Sequence, residues 1–298
     1  MNREEELLVL RASSLAFGVF AQMKDANGDR IVRSGGSGIF ISPFRALTAR
    51  HVTRDFFSID ETRADQLNKR VRAAEENANT DYFELPHSSV LFQAQLGRVP
   101  RPLLWHVSRV WDSPITDISL MEVFADGDEA AGNERKMSGF FEWSLLPPPV
   151  GSRVITLGYP LTNVTTKNDL INIDLKYVLQ EGCVTDIYEL RRERGMYSFP
   201  CFRIDKPVNH GFSGGPVFWS GKLCGIISGG LDDAHVASLW PLCLLKYEYR
   251  DMGALGGEKN FADLFVSGEL LSEEWPLIKN RISKRYDEDG KAYAYIQS

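Results

Sequence analysis

No stretch of this chain stays apolar for the roughly 18 consecutive residues that a membrane-spanning helix needs. The N-terminus, Met1-Asn2-Arg3-Glu4-Glu5-Glu6, is acidic where a secretory leader is basic, and Arg11 with two serines interrupts the apolar residues behind it. Cysteine is scarce. The four present (Cys183, Cys201, Cys224 and Cys243) form no Cys-x-x-Cys pair, which argues against zinc. Positive charge is in deficit, 34 Lys and Arg against 40 Asp and Glu, and a net charge of −6 leaves no footprint for nucleic acid or an anionic membrane. The expectation is a soluble, cytoplasmic chain with reduced thiols and no metal or other cofactor. Internal repeats and low-complexity segments are also missing.

What is present is ample material for a core: 298 residues, 43% hydrophobic and 25% charged. Most of it reads as short β-strands. Residues 14–23 and 31–42 flank Asn27-Gly28, a strong hairpin signal. Gly35-Gly36-Ser37-Gly38, inside the second run, signals a bulge or a close backbone approach. Further strands are expected at 88–96, 103–111, 117–124, 151–158, 171–179, 182–190, 198–204, 215–219, 223–228 and 238–244. Many short strands with turns between them argue an all-β sandwich or barrel.

Three stretches read as helical. Glutamates in the first turn suit an N-terminal helix over 1–13. Ile59, Leu67, Val71, Ala74 and Ala78 form a narrow apolar stripe over 59–78, a surface helix inserted between strands. After residue 253 the tail reads as helix, with Ser272 as cap and Leu271, Trp275, Ile278 and Ile282 on one face. The polar stretch 126–137 suits a crossover between a first unit over 14–137 and a second over 138–252, with 253–298 as the tail.

The chemistry gathers around Asn209-His210-Gly211-Phe212-Ser213-Gly214-Gly215-Pro216. Glycines at that spacing make a tight loop that projects Ser213 and leaves nearby backbone N–H groups unpaired, as a nucleophile beside an oxyanion hole requires. Such a serine needs a base and a group to hold the base. Of five histidines, His87, His106 and His235 read as ordinary surface or half-buried side chains, His235 in a polar loop. His210 is too near Ser213 in sequence to be its base. His51 ends the apolar run Ala46-Leu47-Thr48-Ala49-Arg50, and Asp117 opens the alternating strand Ile118-Ser119-Leu120-Met121.

Together, Leu47-Thr48-Ala49-Arg50-His51-Val52, Thr116-Asp117-Ile118-Ser119-Leu120 and Gly211-Phe212-Ser213-Gly214-Gly215-Pro216 resemble the three signature segments of trypsin/chymotrypsin-like serine peptidases, in that family's order. Gly35 to Ile41, Pro149 to Pro160 and Phe202 to Asn209 look closer to its bacterial HtrA/Deg-type branch. The likeness covers roughly residues 14–245. It implies two six-stranded antiparallel β-barrels with the site between them. It also implies Ser213 as nucleophile, His51 as base, Asp117 as its orienting carboxylate, and Gly211 and Ser213 as oxyanion donors. Ser228 would line the substrate channel and support Asp117. Val208, His210, Gly229 and Gly230 would complete the substrate site, with Pro207 and Val208 toward its base.

Several positions depart from the animal enzymes. Arg50 and Val52 replace a small residue and a cysteine beside the histidine. Phe212 stands where zymogens carry an aspartate, so activation through a new amino terminus is not expected; the loop would be ordered from the outset or by a regulatory partner. With no carboxylate at the pocket base, a small-to-medium apolar residue is expected on the acyl side of the cleaved bond, unless Asp232 and Asp233 fold back and favour Arg or Lys. The tail is too short for the PDZ domain of many HtrA/Deg-type enzymes. Besides a peptidase acting on protein or peptide substrates, the pattern is open to a silent binding module and to a protease that cuts only itself or a fused partner.

Overall fold

The structure is a computed structural model. It describes residues 3–24, 30–58, 82–84, 89–94, 102–125, 140–160, 162–167, 170–230, 232–251, 254–288 and 290–297. The stripe expected at 59–78 and the crossover at 126–137 lie outside the described residues, as does His87.

After helix α1 (Arg3–Leu15) come β1 (Ala16–Lys24), β2 (Arg30–Ser42), β3 (Arg45–Ala49) and helix α2 (Arg50–Ser58). Strands β4 (Tyr82–Glu84), β5 (Ser89–Ala94), β6 (Pro102–Asp112) and β7 (Ile118–Ala125) complete the first unit. The sheet runs β4-β6-β5-β1-β2-β3-β7, and β7 pairs back onto β6, so it curls on itself. Phe17, Phe40 and Trp105 fill its interior, with ring centroids 4.6 and 4.8 Å apart in sequence of contact. The register of β1 on β2 skips from Val19↔Gly36 to Phe20↔Ser34, leaving Gly35 as the extra residue of a bulge. The glycine cluster foretold that break.

The second unit is a closed barrel of β11 (Val178–Tyr188), β12 (Cys201–Ile204), β15 (Ala234–Ser238), β14 (Lys222–Gly229), β13 (Pro216–Trp219) and β8 (Arg153–Gly158). Its core holds Val154, Val184, Phe202, Val208, Phe212, Val217, Ile227 and Val236. The run expected over 171–179 divides: β9 (Asn163–Lys167) and β10 (Leu170–Asp174) make a separate hairpin before β11. The run expected over 238–244 is displaced. Its strand ends at Ser238, and Pro241 helps turn Trp240–Leu244 into a 3-10 helix.

The tail is not helical. It folds as the hairpin β16 (Lys246–Asp251) and β17 (Ala254–Asn260), two single turns α3 (Asp263–Val266) and α4 (Trp275–Ile278), and the hairpin β18 (Ile282–Tyr286) and β19 (Ala292–Ile296). Ser272 does accept the Glu274 N–H at 3.2 Å, yet the helix stops after one turn and Leu271 is exposed. Gly290, at φ +75°, and Asp287, whose carboxylate takes the Lys291 N–H at 2.9 Å, close the last hairpin. Cross-strand pairing of Ile282 with Ile296 and of Lys284 with Ala294 outweighs the helical spacing.

The tail is fastened to the body at Trp143. Its N–H donates to the Leu271 carbonyl at 2.8 Å. Its ring packs on Phe261 and Phe265, centroids 5.5 and 5.6 Å away. Glu274 adds hydrogen bonds from the Ser144 hydroxyl and the Leu146 N–H at 3.0 and 2.8 Å. Removing so large a buried ring costs about 3–5 kcal/mol. Trp143→Ala is therefore expected to lower the urea midpoint sharply; an unchanged midpoint would show that the tail is not held there.

Candidate active site

Strands β3 and β7 are antiparallel neighbours, with Ala49 opposite Ile118. That register puts the residues just beyond Ala49 and just before Ile118 at one end of the sheet. His51, in the first turn of α2 rather than at a strand end, faces Asp117 there. Its Nδ1 lies 2.8 Å from Asp117 Oδ2, and its backbone N–H donates to Oδ1 at 3.1 Å. The Arg50 N–H donates to the Asp117 carbonyl at 3.1 Å, and the Arg50 guanidinium to the Ser113 carbonyl at 2.8 Å. The unusual Arg50 thus clamps the loop that carries the carboxylate. Further along α2, Arg54 donates to buried Asp112 at 2.8 Å, fixing the helix against β6.

The second barrel reaches the same carboxylate. Ser228, on β14, donates its hydroxyl to Asp117 Oδ2 at 2.5 Å, the support expected of it. Asp117 is buried, 6% exposed. With Nδ1–H aimed at the carboxylate, Nε2 of His51 is left as the acceptor. Burial draws the His51 pKa down, but the hydrogen bond and charge of Asp117 outweigh it, and the net position is above 6.5.

Ser213 sits on the loop between β12 and β13, and steric demands on both sides explain its glycines. Gly211 has φ +95°, and a Cβ there would lie 2.8 Å from Pro160 Cα. Gly214 has φ +86°, and its Cβ would lie 2.0 Å from the Ser37 carbonyl and 3.0 Å from Ala49 N. At Gly36 a Cβ would meet the Ser213 carbonyl at 2.5 Å and Val52 Cγ2 at 2.8 Å. Gly36 is therefore packed between the serine loop and Val52, the residue next to His51. Ser37 ties it down: its N–H donates to the Ser213 carbonyl at 2.7 Å, and its hydroxyl to the Gly211 carbonyl at 2.5 Å.

Among the hydrogen bonds of the described residues, the N–H groups of Gly211 and Ser213 have no acceptor, whereas those of Phe212, Gly214 and Gly215 are bound to Asn209, Ile227 and Phe212 carbonyls. The same set contains no bond between the His51 ring and the Ser213 hydroxyl. Phe212 is buried in the second barrel's core, 2% exposed, with its ring over Gly158, where a Cβ would lie 2.6 Å from Cδ1. No local sequence signal marked Phe212 as an anchor.

Residues 36–226, more than half of the chain, match the family model described as a trypsin-like peptidase domain. The chain belongs to the trypsin-like peptidases. No curated protein matches it in sequence. Among solved structures, Rv3671c from M. tuberculosis H37Rv, an inactive-form mutant, is 15% identical with a TM-score of 0.45, over 79% of this chain and 87% of that one. Deg5 is 14% identical with a TM-score of 0.46, over 78% of this chain and 90% of that one.

Within this trypsin-like frame the remaining site residues fall unevenly. Val208 points into the barrel core, while its N–H reaches the Gly230 carbonyl at 3.4 Å. His210 is exposed on the rim. β14 ends at Gly229, one residue past Ser228, and Gly230 follows it, the two at φ +152° and +130°. Asp233 is engaged by Arg203 at 3.3 Å rather than folded into the site. His235 is not in a polar loop: it lies on β15, 4% exposed, opposite Gly229 and stacked on Tyr197. The apolar neighbours Ala234, Val236 and Ala237 were the signal for it, in a strand buried along its whole length. His106, on β6, stacks on Phe124. The cysteines are free thiols, and the described residues hold no cluster of metal-ligating side chains.

The His51–Asp117 contact makes a titration testable. Because the folded pKa lies above the unperturbed 6.5, the contact contributes fully to stability below that pH, and the contribution is lost as pH rises through the folded value. His51, followed by its ring-proton NMR signal, is expected to titrate above 6.5, and Asp117→Asn to move it down. An unmoved signal in Asp117→Asn would contradict the pairing.

Proposed function

We propose that the chain is a serine endopeptidase that cleaves protein or peptide substrates through an acyl-enzyme. What carries the reading is one conjunction: an imidazole oriented by a buried carboxylate, two residues beyond Ala49, and against Ala49 a serine loop with two N–H donors not otherwise engaged among the described residues. Ser213 Oγ attacks the substrate carbonyl as its proton passes to His51 Nε2. Asp117 stabilises the imidazolium that forms and keeps the ring from turning. The oxyanion of the tetrahedral intermediate takes the Gly211 and Ser213 N–H groups, each such donor being worth about 10²–10³ in rate. His51 then protonates the leaving amine, and water repeats the sequence in reverse to free Ser213. The open His51–Ser213 contact is compatible with a substrate-free site, where catalytic hydrogen bonds are often long.

The burial of Phe212 supports a site that is ordered without a new amino terminus. A hydrophobic side chain in the barrel core replaces the ion pair that would otherwise hold the loop.

A fluorophosphonate probe tests the reading. It is expected to label the wild type and not Ser213→Ala, and peptide turnover is expected to fall by roughly 10⁴ in Asp117→Asn. An unlabelled wild type with normal folding would point instead to a silent binding module. Intact masses that differ between wild type and Ser213→Ala as isolated would mark self-processing.

A further inference from the structure

We propose that Arg192, held in place by His235 and Tyr197, receives a substrate carboxylate beside Gly229, so that this peptidase selects peptides with an acidic group near the cleaved bond. The proposal rests on the peptidase reading of Ser213 and names a substrate class for it.

The placement follows from a chain of contacts. Ser228 holds Asp117. Gly229 follows it, directly across from His235 on β15. The Tyr197 hydroxyl lies 3.6 Å from where a Gly229 Cβ would be. Tyr197 stacks on the His235 ring at 4.0 Å and 18°, and Arg192 Nη1 lies 2.5 Å from His235 Nε2. A glycine in the wall leaves room for a substrate side chain to reach this group.

The chemistry is that of an anion receptor. A guanidinium can only donate, so His235 Nε2 is the acceptor and the ring proton sits on Nδ1. Burial, then the charges of Arg192 and Arg203, hold the His235 pKa down to about 4, so the ring is neutral and does not offset its partner's charge. Arg192 also lies over the Tyr197 ring at 5.5 Å. Its N–H and that of Glu193 both donate to the Tyr197 carbonyl, at 3.1 and 3.3 Å, which closes the loop that carries it.

Neighbouring arginines are already neutralised. Arg191 pairs with Asp287 at 3.1 Å, and Arg203 with Asp186 and Asp233 at 2.6 and 3.3 Å. Arg192 has no carboxylate among the ion pairs of the described residues, and Glu193 beside it does not take that place. A guanidinium fixed in position, with donors to spare, matches a carboxylate in a two-pronged geometry. In a chain of net charge −6, such a cation stands out. The carboxylate can come from an Asp or Glu side chain or from a peptide C-terminus.

The test uses the full chain as Ser213→Ala and measures peptide binding by fluorescence anisotropy. One Glu or one Gln is moved through each position of a fixed peptide, made with free and with amidated C-termini. At one position Glu is expected to bind about tenfold tighter than Gln, a modest share of a charge-assisted hydrogen bond. That preference is expected to vanish in R192Q and to reverse, Gln over Glu, in R192E, with each variant's urea midpoint reporting that it is folded. A preference that follows the free C-terminus instead assigns the site to a terminal carboxylate. Equal binding of all four peptide forms, or a Glu preference that survives in R192Q, overturns the proposal. Fluorophosphonate labelling of the wild type is read separately, so failure of the peptidase reading is distinguishable from failure of the carboxylate site.

Discussion

One carboxylate joins the two halves of this molecule. Asp117 takes the His51 ring and backbone N–H from the first unit and the Ser228 hydroxyl from the second barrel. A buried carboxylate is tolerated only where donors compensate it. Here the compensating donors are His51 of the first unit and Ser228 on β14 of the second. Removing any one leaves a buried charge short of a partner, so the geometry is over-determined. His51 cannot turn, and β14 cannot drift, without a cost at Asp117.

The serine loop depends on a second constraint, steric rather than electrostatic. Positive φ at Gly211 and Gly214, and the crowding around Gly36, allow the loop to lie flush against Ser37, Thr48 and Ala49. Ser37, set by the bulge at Gly35, then holds the carbonyls of both Gly211 and Ser213. On the other side Phe212 drives its ring into the barrel core. Burying such a side chain contributes roughly 1.5–3 kcal/mol, whereas a buried ion pair often does little better than break even after desolvation. A loop anchored this way is indifferent to salt and to the protonation of an amino terminus.

The sequence carried the parts of this arrangement that are local. The glycines around Ser213 and the break at Gly35 are each written in a few adjacent residues, and each points to one backbone geometry. Two kinds of feature escaped. In the tail, Leu271, Trp275, Ile278 and Ile282 have helical spacing, but the pairing of β18 with β19 decides the fold, and spacing along one strand says nothing of its partner. Around Arg192 the group is assembled from residues 192, 197, 229 and 235, held together by the curvature of the barrel. His235 looked polar and exposed because Asp232 and Asp233 precede it; the strand that buries it begins only at Ala234.

The central claim is that Ser213 acts beside two waiting amides with His51 as its base. The most direct measurement is a crystal structure of the chain treated with a peptide boronic acid. The account predicts a bond from Ser213 Oγ to boron, with one boronate oxygen about 2.7–3.1 Å from the Gly211 and Ser213 nitrogens. His51 Nε2 should then lie within about 2.6–3.2 Å of Ser213 Oγ or the second boronate oxygen. An adduct whose oxygens face solvent, or no adduct on a serine that remains apart from His51, would contradict it.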